Sequence, residues 1–110
     1  MDSKARFAKA IDSQFAHLGQ QAIYLKHRTK QRSKPQVILV IARRPEQLFE
    51  LGDRQLQGEN PQLEFRVSEV KTPSRGDEIH VDGCTYRIES EPRLDLHRLV
   101  WIVDSLPCIE

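Results

Sequence analysis

The sequence predicts a mainly β protein, a small antiparallel β-barrel or sandwich of about six strands with one N-terminal amphipathic α-helix. Three observations carry this expectation. Phe7, Ile11, Phe15 and Leu18 recur at spacings of four, four and three, which aligns them on one helical stripe. Asp82-Gly83 separates two short alternating runs, and Asp-Gly favours the type I′ turn that joins twisted antiparallel strands. The remaining apolar runs are short, β-prone and joined mostly by hairpin-length connections.

At 110 residues the chain makes a single domain over 1–110, long enough for one core. The helix is expected over 1–19, with Asp2 or Ser3 capping its start and Gly19 ending it in the left-handed conformation. Lys4, Arg6, Lys9, Asp12 and Gln14 occupy its polar face, so the stripe needs a sheet or a partner to cover it. The β-barrel is expected over 20–106. Its first strand is Ala22–Lys26, and the second, Gln36–Ile41, is apolar on both faces and hence central or covered by the helix. Leu63–Val70 alternates, with Leu63, Phe65 and Val67 on one face, until Glu69 and Val70 break the pattern in a bulge or strand end.

The Asp82-Gly83 turn sets a register with Val81 opposite Cys84, Ile79 opposite Tyr86 and Asp77 opposite Ile88. The other face then carries His80 opposite Thr85 and Glu78 opposite Arg87, an opposite-charge pair. Pro92 stops this hairpin, 93–98 connects, and Leu99–Val103 reads as an inner strand. Two connections, 27–35 and 43–62, are expected to be mobile loops, because neither has the apolar content to offset its own ordering.

Charge is divided along the chain. Residues 1–44 hold ten Lys or Arg against two Asp, a balance of +8, and 45–110 hold seven against fourteen, a balance of −7. Such asymmetry suits a basic arm that meets an acidic partner, either nucleic acid or another protein surface; the plainer alternative is two solvated halves. The candidate partner-binding residues are Lys26, Arg28, Lys30, Arg32 and Lys34 in the basic arm, with Arg43, Arg44, Leu48 and Phe49 in the second connection. Leu48, Phe49 and Leu51 are equally readable as a short strand or helical turn packed on the barrel.

No enzyme chemistry stands out. The four His and two Cys residues show none of the paired spacings of zinc sites, and no Gly-rich phosphate loop occurs, so neither metal nor cofactor is expected. Asp95 and His97 are spaced to orient an imidazole on a carboxylate, yet no nucleophile in a recognisable turn accompanies them, and exposed loop residues are the better reading. Cys84 reads as a small buried apolar residue. With only Cys84 and Cys108, no apolar leader visible, and Val37–Ala42 as the longest apolar run, the expected setting is reducing and cytoplasmic, without a membrane. A nucleic-acid-binding small barrel is the competing class, although most aromatics fall at positions that alternation assigns to the interior.

The runs Phe65–Val70, Gly76–Ile79, Asp82–Ile88, Pro92–Asp95 and Arg98–Trp101, in that order and around a Pro-containing turn, resemble the C-terminal half of the small phage head-tail joining, or head-tail attachment, proteins of the lambda type and their prophage relatives. The resemblance implies a structural neck component of the virion, assembled in the bacterial cytoplasm, that joins a DNA-filled head to a tail by forming a homo-oligomeric ring. It implies a portal-side head or neck protein and tail proteins as partners, contact with DNA in the neck as a further one, and no catalytic residues. A positive arm and a negative body are complementary in the way that head-to-tail stacking of identical subunits requires.

Overall fold

The computed structural model describes residues 3–27, 34–43 and 61–105. Among them, one helix packs on a single curled sheet of seven antiparallel strands. The elements in chain order are α1 (Ser3–Leu18), β1 (Gln20–Leu25), β2 (Gln36–Arg43), β3 (Gln62–Arg66), β4 (Glu78–Val81), β5 (Cys84–Arg87), β6 (Arg93–Leu94) and β7 (Val100–Asp104). Their order across the sheet is β5-β4-β1-β2-β3-β7-β6. The curl brings the two sides of the sheet together where Ile88, just past β5, bridges Ser105, just past β7. The result is a half-barrel rather than a flat sandwich.

The β4–β5 hairpin has the expected register, with Glu78 opposite Arg87, Ile79 opposite Tyr86, His80 opposite Thr85 and Val81 opposite Cys84. Asp82 and Gly83 hold φ of 54° and 78°, the paired left-handed geometry of a type I′ turn. The pairing runs one step further, since the Ile88 amide donates to the Asp77 carbonyl at 2.9 Å.

Alternation along the strands builds two cores on opposite faces of the sheet. Inside the curl, Ala22, Tyr24, Ile38, Val40, Leu63, Phe65, Ile79, Val81, Ile88 and Val103 are buried together, with Val70 closing one end. On the convex face, Phe15 of α1 packs on Ile41 and Val100, flanked by Ile11, Leu39, Leu99 and Ile102. β2 is therefore covered on both sides, as its continuous apolar run requires. The helix shields β2, β3 and β7 but leaves β1 and β4 open, so the cross-strand pair Ile23 and Val37 stays exposed.

Several expectations are corrected. The helix rotates so that Phe15 takes the central buried position, while Phe7 and Leu18 at the ends of the stripe remain exposed. Gly19 does not end the helix with a positive φ; it is needed because its amide bonds the Phe15 carbonyl at 2.8 Å and a Cβ there would lie 2.5 Å from that oxygen. β3 stops at Arg66 rather than reaching Val70, because a turn over 67–69 folds back and the Glu69 carboxylate accepts the Leu39 amide at 3.2 Å in place of a ladder carbonyl. The strand count rises from six to seven because Arg93 and Leu94, expected in a connection, pair with Ile102 and Trp101. The expected mobile segments fall mostly on 28–33 and 44–60, which lie outside the described residues, as do 106–110.

Candidate functional site

The stem of the basic arm is held by one carboxylate. Asp77, buried beneath the end of β1, accepts the Tyr24 hydroxyl and the Ser74 amide on Oδ2, the latter at 2.9 Å, and the His27 amide on Oδ1 at 2.8 Å. The Lys26 ammonium stands 3.9 Å from the same group. Burial, followed by the hydrogen bond to Asp77, pushes the Tyr24 hydroxyl far above the ordinary phenol range, so it remains a donor. Gly76, at φ 89°, is covered by the His27 ring, and a Cβ there would meet that ring at 3.0 Å. The chain thus leaves β1 for the basic arm from a fixed point.

Beside this anchor, a cleft of about 310 Å³ opens between the arm's stem and the 67–72 turn, lined by Lys26, Lys34, Gln36, Glu69, Lys71 and Thr72 among others. Lys26 donates to the Thr72 carbonyl and, at 3.2 Å, to its hydroxyl. The Gln36 side-chain amide donates to the Glu69 carbonyl. The Glu69 carboxylate itself is turned to Arg66, whose guanidinium Nη2 lies 2.7 Å away. Lys34 and Lys71 are exposed and pair with no carboxylate among the described residues.

Of the nine residues expected to bind a partner, Lys26, Lys34 and Arg43 are described, and Arg28, Lys30, Arg32, Arg44, Leu48 and Phe49 lie outside the described residues. Lys26 and Lys34 meet at the cleft. Arg43 does not join them, because it stands at the far end of β2, roughly 25–30 Å from Lys34 at the usual rise per strand residue. There it pairs with Glu64 at 2.8 Å. Lys71 and Asp77 are the contributors that sequence reasoning missed. Asp77 left a signal, an acid in a slot that alternation reserves for apolar residues; Lys71 left none, since it sits in an aperiodic turn.

The remaining chemical candidates resolve into structure. Asp95 Oδ1 accepts the Leu99 and Val100 amides at 2.8 and 3.1 Å and so closes the turn before β7, while the His97 ring stacks on Phe7 at 3.9 Å. Cys84 is half-buried and disulfide-bonded, not the buried apolar thiol expected. Among the described residues no three His, Cys, Asp or Glu side chains group as metal ligands, and no helix is long and apolar enough to cross a membrane.

The described residues thus form a mainly β half-barrel in which buried Asp77 fixes the point where the chain leaves β1. Over residues 4–105 the chain matches the family model described as Phage Head-Tail Attachment protein, and it belongs to that family. No curated protein matches the chain. The family is a structural one, so membership makes this a phage structural component whose implied contacts are head and tail proteins.

Proposed function

We propose that the protein is a virion neck component that joins the DNA-filled head to the tail by closing into a homo-oligomeric ring, and that the basic arm from Lys26 to Lys34 is its docking element. The observation that carries the reading is the construction of the arm's root, where buried Asp77 accepts the Tyr24 hydroxyl and the His27 and Ser74 amides and so fixes the point at which the chain leaves β1. Exposed charges contribute little one at a time but orient an encounter as a field. The acidic second half of the chain supplies the complementary surface for stacking identical subunits.

The test reverses Arg28, Arg32 and Lys34 to Glu together, sparing Lys26 because Thr72 and Asp77 already hold it. The variant is expected to melt with the wild type yet to fail in joining heads to tails in vitro, and raised salt should weaken the wild-type reaction in the same direction. Repeating the assay with empty heads separates protein docking from contact with DNA in the neck. Joining at the wild-type rate by the reversed protein would show the arm to be merely solvated.

A further inference from the structure

We propose that the cleft between the arm's stem and the 67–72 turn seats a carboxylate side chain, an Asp or Glu presented by an acidic segment of a partner protein. This rests on the docking role above and gives it a defined receptor. Lys26, Lys34 and Lys71 converge there from three different segments of the chain. Elsewhere on the sheet cations are already mated, Arg43 to Glu64, Arg66 to Asp12 and Glu69, Arg87 to Glu78, and Arg93 to Asp104. At the cleft only Lys26 lies near a carboxylate, 3.9 Å from buried Asp77; Lys34 and Lys71 form no ion pair among the described residues, and the lining residue Glu69 is already engaged by Arg66 and the Leu39 amide. Two exposed lysines therefore share the cleft's lining with a third whose ammonium Thr72 holds in place.

The dimensions and chemistry favour a protein side chain over nucleic acid. A space of about 310 Å³ fits one or two side chains and not a duplex. A single-strand binder stacks bases on exposed rings, whereas Tyr24, the ring in this lining, is 3% exposed with its hydroxyl on Asp77. Thr72 and Gln36 offer neutral polar groups beside the ammoniums, the mixture that orients a carboxylate instead of merely attracting it.

The test compares the full-length wild type with the double variant Lys34→Glu/Lys71→Glu, using a labelled Glu-rich peptide, its Gln-substituted counterpart and a short single-stranded DNA as probes at low salt. Wild type should bind the Glu peptide in preference to the other two. The double variant should lose about tenfold in affinity, the yield of two partly exposed ion pairs, and Lys34→Gln/Lys71→Gln should lose less. A control, Lys9→Glu on the exposed face of α1, should bind as wild type does. Unchanged peptide affinity in the double variant, or tighter binding of the DNA that the same variant abolishes, overturns the proposal. Head-tail joining measured in parallel keeps the two readings apart: a wild type that binds the peptide through these lysines yet joins nothing sinks the neck role alone, whereas a double variant that joins normally sinks the cleft.

Discussion

Asp82 and Gly83 show how much one dipeptide decides. Both hold positive φ, and only there does the turn's twist match that of the strands it joins. Gly83 has open space where a Cβ would point, so the constraint is torsional and not steric crowding from neighbours. Gly83→Val should therefore destabilise the protein by about 1 kcal/mol or more, through positive φ on a β-branched residue; an unchanged melting temperature would count against the turn. Glu78, on the outer face of the same hairpin, makes a second prediction. The hydrogen bond from His80, and after it that from Arg87, hold its carboxyl below the ordinary range against the effect of partial burial. A depressed folded-state pKa means that the unfolded chain binds the proton more readily, so this contribution is complete above the ordinary carboxylate range and vanishes as pH falls through the depressed value. The melting gap between wild type and Glu78→Gln should be present near about pH 6 and closed by about pH 2–3. A gap of constant size across that range would show that the carboxylate's charge is irrelevant.

At the scale of elements, periodicity located every long run, and local contacts then decided where each one ends and which residues are covered. Alternation was enough to set the β4–β5 register residue by residue, because a slip by one would turn Ile79 and Val81 to solvent. The same reasoning could not find β6, whose two residues have no period to detect and exist as a strand only because β7 lies beside them. Nor could it see that β3 ends at Arg66, a decision taken by the distant Glu69–Leu39 contact. In α1 the stripe was correct and its weighting was not. Helical spacing makes Phe7, Ile11, Phe15 and Leu18 equivalent, but the helix touches the sheet at an angle and buries Phe15 alone. Phe15→Ala should accordingly cost about 3–5 kcal/mol, whereas Leu18→Ala, at an exposed position, should stay within about 0.5 kcal/mol. Equal losses measured by denaturant unfolding would return the helix to the symmetric stripe.

For the whole molecule, the charge split along the chain was visible from composition, whereas the cleft at the arm's root was not, since Lys26, Lys34 and Lys71 line it from segments that only the fold brings together. Asp77, which fixes that root, could be recognised in the sequence only as an anomaly, an acid where alternation wanted an apolar residue. The fold that unites them has one weak line. β1, β2, β3 and β7 are joined by continuous ladders, with β2 covered by a core on each face. Among the described residues, closure of the curl rests instead on the Ile88–Ser105 bridge, extended by the Glu89 and Ser90 amides donating to the Asp104 carbonyl at 2.8 and 3.4 Å and by the Asp104 amide donating to Ser90 Oγ at 3.0 Å. Glu89 is exposed and Ser90 only half-buried, so the bonds they make can break while Ile88 and Ser105 beside them stay buried. Local opening is cheapest where few buried apolar contacts must be lost with the hydrogen bonds. Native-state amide exchange should consequently rank the amides of Val40 and Phe65 slowest, near global unfolding, and those of Glu89 and Ser90 orders of magnitude faster. The seam would then fray from its Glu89–Ser90 end while the helix, β2 and the Asp77 anchor at the end of β1 stay in place. Protection at Glu89 and Ser90 equal to that at Val40 would mean that closure is as cooperative as the core, and the seam would have to be abandoned.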